Sequence, residues 1–297
     1  MRRLIVLLIL SSASLLYAQE KDADREKRLQ QEAAKGRDTS KPMGWQLASV
    51  AGINLSQVSF KDWAQGGANS MAYAIWGTGA AVRHGEKTRW SNSLKMTFGE
   101  ARVGDQESRK TDDEIYFESL LIYMLGTTIN PYGAFTLRTQ FAPGYAYFTD
   151  APRKQISAIF DPAYLTQSAG IAYTPFENLT VRFGAGVREV LTSTYRQYTD
   201  DLATPEIEKS RVEAGLESVT DFRWPFAENM VFTTRLELFA PFKTLDRVVM
   251  RNDNTIAMKV NQYVTVNFNV QLINDVNVSA RTQMKEALAV GVSYTLL

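Results

Sequence analysis

The chain has 297 residues, contains no cysteine, and balances 33 basic against 32 acidic side chains for a net charge of +1. The lack of cysteine excludes disulfides and thiolate metal sites, and the balanced charge gives no support for nucleic-acid binding. Beyond the N-terminus, no segment has the roughly 20 consecutive apolar residues of a membrane helix, so any membrane insertion must use strands.

The N-terminus has the pattern of a secretory signal peptide. Arg2 and Arg3 precede an apolar run over residues 4–16, and Ala18 offers a small residue for cleavage. We therefore predict a signal peptide over residues 1–18. Residues 19–43 are highly charged and nearly free of large apolar side chains, which predicts a solvated periplasmic leader; a binding tail is the alternative.

From residue 44 to residue 297, segments with strand-like alternation follow one another. In residues 264–272, valine, phenylalanine and leucine alternate with threonine, asparagine and glutamine without a break. Successive side chains of a strand point to opposite faces, so such a segment has one apolar and one polar face. The last segment, residues 287–296, alternates in the same way. We count about twelve strands, an even number that places both ends of a barrel in the periplasm.

The connections between these segments alternate between long and short. Short turns are predicted near residues 84–87, 126–131, 175–178, 225–229 and 261–262, and long loops at 104–113, 149–162, 192–209 and 241–253. This alternation is typical of an up-and-down membrane barrel with long extracellular loops and short periplasmic turns.

Aromatic residues at the strand ends beside the short turns predict a ring at one membrane interface. They are Trp45, Trp90, Tyr123, Tyr132, Tyr173, Trp224, Tyr263 and Tyr294. The sequence therefore predicts an all-β protein, a transmembrane up-and-down antiparallel β-barrel over residues 44–297. We expect a monomer in the outer membrane, surrounded by its lipid.

Four stretches carry a resemblance to a known family. They are Ser59–Ser70 (SFKDWAQGGANS), Thr139–Tyr145 (TQFAPGY), Asp161–Leu165 (DPAYL) and Lys285–Tyr294 (KEALAVGVSY). They resemble an uncharacterised family of outer-membrane barrels, described mainly from Bacteroidetes-type bacteria and known only as a domain of unknown function. The chain ends in Leu296-Leu297, whereas the family pattern usually has phenylalanine at the position of Leu296. The resemblance implies a barrel inserted by the barrel assembly machinery, and it implies no activity.

Catalysis and metal binding receive little support from the residue types. A barrel-type lipid hydrolase needs a serine activated by a positioned base, usually histidine, and the one histidine, His84, lies in a predicted periplasmic turn. Acidic residues at 112–114 and 200–201 could pair, but clustered loop acids are usually solvated. Transition metals lack their usual ligands, and no spaced loop motif supports calcium. We predict a protein that is not an enzyme and has neither a metal nor a cofactor.

Charged residues recur on the polar faces of the predicted strands. A basic side chain facing lipid would cost about 2–4 kcal/mol near the midplane, so these residues are predicted to face the lumen. The candidate lumen-lining residues are Lys95, Glu114, Glu118, Arg138, Arg182, Arg188, Glu213, Glu217, Arg235 and Glu237, and Arg211 and Lys259 share the same faces.

Two hypotheses follow for the function. If water surrounds the charges, a barrel of about twelve strands could pass a small polar solute, with weak ion selectivity because the signs are mixed. If Arg182 and Arg188 pair with Glu213 and Glu217, and those with Arg235, the charges form a plug. The closed barrel would then serve as a structural or interaction protein through its loops, chiefly 192–209.

The loop after the first strand is a further candidate. Phe60, Trp63 and Gln65 could fold inward as a constriction or dock a ligand, or the loop could simply pack on the barrel mouth.

Overall fold

The computed structural model describes residues 43–61, 67–126, 128–176, 178–200, 204–261 and 263–296. Its strands are β1 Gly44–Val58, β2 Ser70–His84, β3 Thr88–Val103, β4 Arg109–Tyr123, β5 Ile129–Thr139, β6 Gly144–Ala146, β7 Lys154–Ser157, β8 Ala163–Phe176, β9 Leu179–Leu191, β10 Ser210–Ala227, β11 Met230–Pro241, β12 Val249–Lys259, β13 Val264–Asn274 and β14 Gln283–Thr295. One short 3-10 helix spans Arg196–Tyr198. No helix in these ranges is long and apolar enough to cross a membrane.

Twelve of the described strands form one closed antiparallel barrel, in which neighbours in sequence pair in order and β1 closes on β14. The other two, β6 and β7, form a small hairpin inside the connection between β5 and β8. The predicted up-and-down barrel of about twelve strands is therefore confirmed.

The outer surface of the barrel is apolar where the alternation predicts it. On β14, Leu288 is 74% exposed, and Val290 and Val292 are also exposed. A closed sheet that turns rows of valine, leucine and phenylalanine outward needs lipid to cover them. The chain is thus an outer-membrane β-barrel.

The two ends of the barrel differ as the loop lengths predict. The start of β1, the end of β14 and the short turns share the periplasmic end, and the long loops share the extracellular end. Trp45 and Trp90 lie exposed at the periplasmic rim, with ring centroids 5.5 Å apart.

Tyr132 is a correction to the predicted aromatic ring. It is only 5% exposed and packs inside the barrel with Leu120, Ile122 and Ala172. Tyr132 has the same parity along β5 as Arg138, whose side chain is in the lumen, so its ring must also point inward.

Several predicted element boundaries are wrong. β4 begins at Arg109, inside the predicted loop 104–113. β5 ends at Thr139 instead of continuing to residue 148. β12 begins at Val249, inside the predicted loop 241–253. Asn252 and Asn254 occupy outward positions of β12, opposite Leu272 and Val270, and these amides obscured the apolar alternation.

A pair of glycines brings β8 and β9 close together. Gly170 and Gly184 are register partners. A Cβ on Gly184 would lie 2.2 Å from the carbonyl oxygen of Ala169, so glycine permits this approach. The contact lies on β9 between Arg182 and Arg188.

Candidate functional site

The middle of the lumen contains a network of ion pairs that spans the barrel. Glu118 on β4 accepts hydrogen bonds from Arg182 Nη2 on β9, at 2.5 Å, and from Arg235 Nη2 on β11, at 3.0 Å. These three strands are not neighbours in the sheet, so the bonds cross the interior. Arg182 is 2% exposed.

Glu114 lies on β4 four residues before Glu118, on the same inner face and nearer the extracellular end, and is a second centre of the network. Its carboxylate lies 3.2 Å from Lys95 Nζ, 3.1 Å from Arg138 Nε and 2.8 Å from Arg251 Nη2. Three cations from three strands therefore share one carboxylate.

Arg235 and Glu237 join the two centres. Arg138 Nη1 donates to Glu237 at 3.1 Å, and Arg235 Nε donates to the same carboxylate at 2.8 Å. Arg235 also pairs with Asp221 at 3.0 Å and donates to the hydroxyl of Tyr116 at 2.9 Å. The Tyr116 ring lies under the guanidinium of Arg138, 4.6 Å from its centroid. The network is continuous because Arg138, Arg235 and Glu237 each have more than one partner.

Arg188, Arg211 and Glu213 lie nearer the extracellular end, whereas Lys259 ends β12 at the periplasmic end. Arg188 donates to Asp275 at 2.7 Å, and Arg211 lies 3.6 Å from Glu213. The pairs differ from those of the predicted plug. Among the described residues, the carboxylate partners of Arg182 are Glu118 and Asp221. Arg188 is the register partner of Glu213, but its ion pair is with Asp275.

Several network residues were missed by sequence reasoning, namely Tyr116, Asp221, Arg251, Asp253 and Asp275. Arg251 and Asp253 were placed in a loop, and the alternation of Arg251, Asp253 and Thr255 was the signal that could have found them. Asp275 follows the last residue of β13, so no strand period points to it.

Two cavities lie along the barrel axis. The upper cavity, of about 480 Å³, lies towards the extracellular side, between the charged residues and a wall of amides and alanines. The lower cavity, of about 330 Å³, lies towards the periplasmic side. They share Lys95, Glu114, Arg138 and Asp253 as wall residues, so the second centre of the network stands between them.

Buried apolar side chains line part of the periplasmic end. Ala48 and Val82 pack together on the inner face of β1 and β2, and Leu120, Ile122 and Tyr132 form a second cluster on β4 and β5. These residues narrow the lumen below the network on one side.

Two buried carboxylates hold the extracellular loops. Asp113 accepts hydrogen bonds from the backbone N–H groups of Phe141 and Ala142, both at 3.0 Å, and pairs with Lys110 at 2.8 Å. Its side chain is 2% exposed, so the prediction that the acidic residues at 112–114 are solvated is wrong for Asp113. Asp161 accepts from the N–H of Thr194 at 2.6 Å, which ties the β5–β8 loop to the β9–β10 loop.

The other candidate residues occupy separate places. Asp112 pairs with Lys285 at 3.1 Å, and His84 ends β2 at the periplasmic end. Asp201 lies outside the described residues. Among those described, no group of three or more His, Cys, Asp or Glu side chains could hold a metal ion.

The candidate loop after β1 is described only in part. The N–H of Phe60 donates to Asn69 Oδ1 at 2.7 Å, and its ring lies beside Gly67. Trp63 and Gln65 lie outside the described residues.

Residues 55–145 match the model of a family described as protein of unknown function (DUF3078). That range includes the first two of the resembling stretches. No curated protein gave a significant match.

Among solved structures, the translocator domain of the autotransporter NalP from Neisseria meningitidis is 12% identical, with a TM-score of 0.41, and the match covers 95% of this chain and 97% of that one. The COG4313 outer membrane channel from Pseudomonas putida F1 is 10% identical, with a TM-score of 0.43 and coverage of 86% and 97%. The NanC porin is 10% identical, with a TM-score of 0.39 and coverage of 84% and 100%. These TM-scores are too low to support a fold assignment. The assignment as a barrel rests on the strand pairing within this chain. The protein is therefore an outer-membrane β-barrel whose residues 55–145 match a family of unknown function.

Proposed function

We propose that the barrel is a narrow passive channel for a small polar solute. The observation that supports this function is the pair of axial cavities that meet at Lys95 and Glu114. The side chain of Lys95 is 47% exposed, whereas that of Glu114 is 14% exposed. Lys95 is thus the more water-accessible member of the ion pair between the two cavities, and Glu114 is its buried partner.

The upper cavity favours solutes without a strong net charge. Its wall contains the basic residues Lys95, Arg138, Arg251 and Lys285 and the acidic residues Asp112, Asp113, Glu114 and Asp253, so the formal charges cancel. The wall also presents amides from Asn54, Asn267, Asn269 and Gln271. Amides offer both donors and acceptors, which suits neutral or zwitterionic polar molecules and gives weak ion selectivity.

Planar-bilayer recording of the purified barrel tests this function. We expect small stepwise currents, and Lys95→Ala should increase the step size because it shortens the side chain that borders both cavities. Lys154→Ala in the extracellular hairpin is the control and should leave the steps unchanged. Absence of steps from both the natural protein and Lys95→Ala would overturn the proposal.

The alternative is a closed barrel that acts through its extracellular loops. The tie between Asp161 and Thr194, together with the bond from Gln197 to the carbonyl of Ile156 at 2.9 Å, holds two long loops in one arrangement. Such a fixed surface favours a structural or interaction role, chiefly for residues 192–209. Silent bilayers combined with specific binding of a partner to this surface would select this function.

We also infer how the protein reaches its site. We propose removal of residues 1–18 as a signal peptide, a periplasmic leader over residues 19–43, and insertion as a monomer by the barrel assembly machinery. The four resembling stretches support membership of the Bacteroidetes-type barrel family. Intact mass measurement of the mature protein should give a chain that starts at Gln19.

A further inference from the structure

A third cavity, of about 220 Å³, lies beside the axial network, and we call it the side cavity. Arg182 and Arg188 of β9 line one part of it. Val219, Phe239, Val249 and Ile273, from the four strands β10 to β13, line another. The side cavity therefore has a basic part and an apolar part.

The apolar part lies directly beside the charged network. Val219 and Phe239 follow Glu217 and Glu237 by two residues, so they share the inner face with these charges. Both are buried, at 4% and 6% exposure. A fully polar solute gains nothing from such a surface, whereas a hydrocarbon group is removed from water there.

The basic part has hydrogen-bonding capacity left over. Arg182 and Arg188 each use Nη2 to bind a carboxylate. Within the described residues, Arg182 Nε and Arg188 Nη1 are buried and have no hydrogen-bond partner. Arg188 as a whole is 8% exposed. A buried donor without a partner is unfavourable, and an anionic oxygen is the acceptor that satisfies a guanidinium best.

The acidic residues on the wall limit the charge of any ligand. Glu237 is already paired with Arg138 and Arg235, and Asp275 is paired with Arg188. Glu217 also borders the cavity. The lining also has five arginines, Arg138, Arg182, Arg188, Arg235 and Arg251. Three acids outside the lining, Glu114, Asp221 and Asp253, pair with four of them, so the lining has no surplus positive charge. The unpartnered guanidinium nitrogens therefore have room for one anionic group, and a second would meet repulsion from the acids.

We propose that the side cavity binds a small organic monoanion that has a carboxylate-type group and an apolar body. The anionic group accepts a hydrogen bond from Arg188 Nη1, and the apolar body packs against Val219, Phe239 and Val249. The volume of the side cavity, about 220 Å³, exceeds the roughly 150 Å³ of an apolar cavity that takes up benzene, so a molecule the size of benzoate fits. This site is independent of the proposed channel, because binding here requires no passage through the barrel.

Saturation-transfer NMR and calorimetry on the refolded barrel in micelles, with empty micelles subtracted, provide the test. Benzoate should bind saturably. Acetate, which lacks the apolar body, and benzamide, which lacks the charge, should bind at least ten-fold more weakly.

Two variants locate the site. Arg188→Gln should weaken benzoate binding at least ten-fold, whereas Lys154→Gln, which removes one positive charge from the extracellular hairpin outside the side cavity, should not. Val249→Thr keeps the shape of the side chain and leaves the ion pairs intact, and it should weaken benzoate binding several-fold because it makes the apolar part more polar. This variant tests the proposal even if Arg188→Gln does not fold. Equal binding of benzoate and benzamide, unchanged binding in Val249→Thr, or ordered water alone on both arginine nitrogens with no saturable binding would overturn the proposal.

Discussion

At the scale of single residues, the lumen is organised by carboxylates that serve several cations. Glu114 has three basic partners and Glu118 has two. Breaking a buried ion pair by removing one partner is costly, because the other charges stay buried with less compensation. The stability of this interior therefore depends on groups with several partners, such as Glu114 and also Arg235, which pairs with Glu118, Asp221 and Glu237.

Glu114→Gln tests this dependence. We expect the free energy of unfolding to fall by about 3 kcal/mol, because Lys95, Arg138 and Arg251 lose a shared partner. Glu107→Gln is the matched control: Glu107 pairs with Arg153 at 2.6 Å, but both side chains are about half exposed. Its cost should stay below about 1 kcal/mol. Urea titration in lipid vesicles, followed by tryptophan fluorescence, measures both, and equal losses would contradict the shared-partner explanation.

Asp275 provides a prediction about pH. Burial by itself favours the protonated acid, but the charge of Arg188 and hydrogen bonds from Arg188 and Asn277 outweigh it and hold the pKa of Asp275 below its ordinary value of 3.8. The pair therefore stabilises the β13–β14 loop fully above pH 3.8 and loses its contribution as the pH falls through the lowered pKa.

Hydrogen exchange at Val278 and Ser279, whose N–H groups donate to the Asp275 carbonyl, measures this effect. After correction for intrinsic exchange, protection should be constant between pH 7 and pH 5 and decline only below pH 3.8. Asp275→Asn should show the weakened protection already at pH 7, and Asp246→Asn in an exposed loop should not. A decline that starts near pH 6 would contradict the assignment.

At the scale of elements, the contact between β8 and β9 depends on the absence of side chains. Gly170 and Gly184 let the two backbones approach where a Cβ would meet Ala169. This contact sets the spacing between β8 and β9, and β9 carries both Arg182 and Arg188.

Gly184→Ala should lower the free energy of unfolding by about 1–3 kcal/mol, because the strands must move apart to admit the methyl group. Gly133→Ala on β5 is the control, since a Cβ there has no neighbour within 4 Å. Denaturant titration of both variants compares them, and a loss in Gly133→Ala as large as in Gly184→Ala would show that strand propensity, not crowding, is responsible.

The elements also show how far the sequence could be read. Alternation and loop lengths were sufficient to predict a closed up-and-down barrel, because both are local signals. The partners of Arg182 and Arg188 were not predictable, since charges that meet across a lumen depend on barrel shape and strand stagger. Asn252 and Asn254 obscured β12, and Tyr132 was assigned by its place near a turn when its parity pointed inward.

At the scale of the whole molecule, the closing junction differs from its neighbours. β1 pairs with β2 along its full length, but with β14 only from Val50 to Asn54. Fewer ladder hydrogen bonds hold this seam, and Ile53 lies opposite Val292 within it.

A disulfide across the seam tests the role of this junction, and the lack of native cysteine makes the experiment unambiguous. Ile53→Cys with Val292→Cys should oxidise readily, because register partners lie about 4.5–5.5 Å apart. It should stabilise the barrel by about 2 kcal/mol more than Ile53→Cys with Ile75→Cys, which closes a much shorter loop between β1 and β2. Urea titrations with and without reductant give the two gains, and equal gains would contradict this expectation.

The carboxylate of Glu118, bound by arginines from β9 and β11, has a consequence for biogenesis. While the nascent sheet is still open, Arg182 and Arg235 are far from β4 and must stay hydrated. Their dehydration becomes favourable only when the second half of the sheet has curled round to the first. Insertion into lipid and completion of the interior are therefore expected to occur as a single late event, after most of the chain has been translocated.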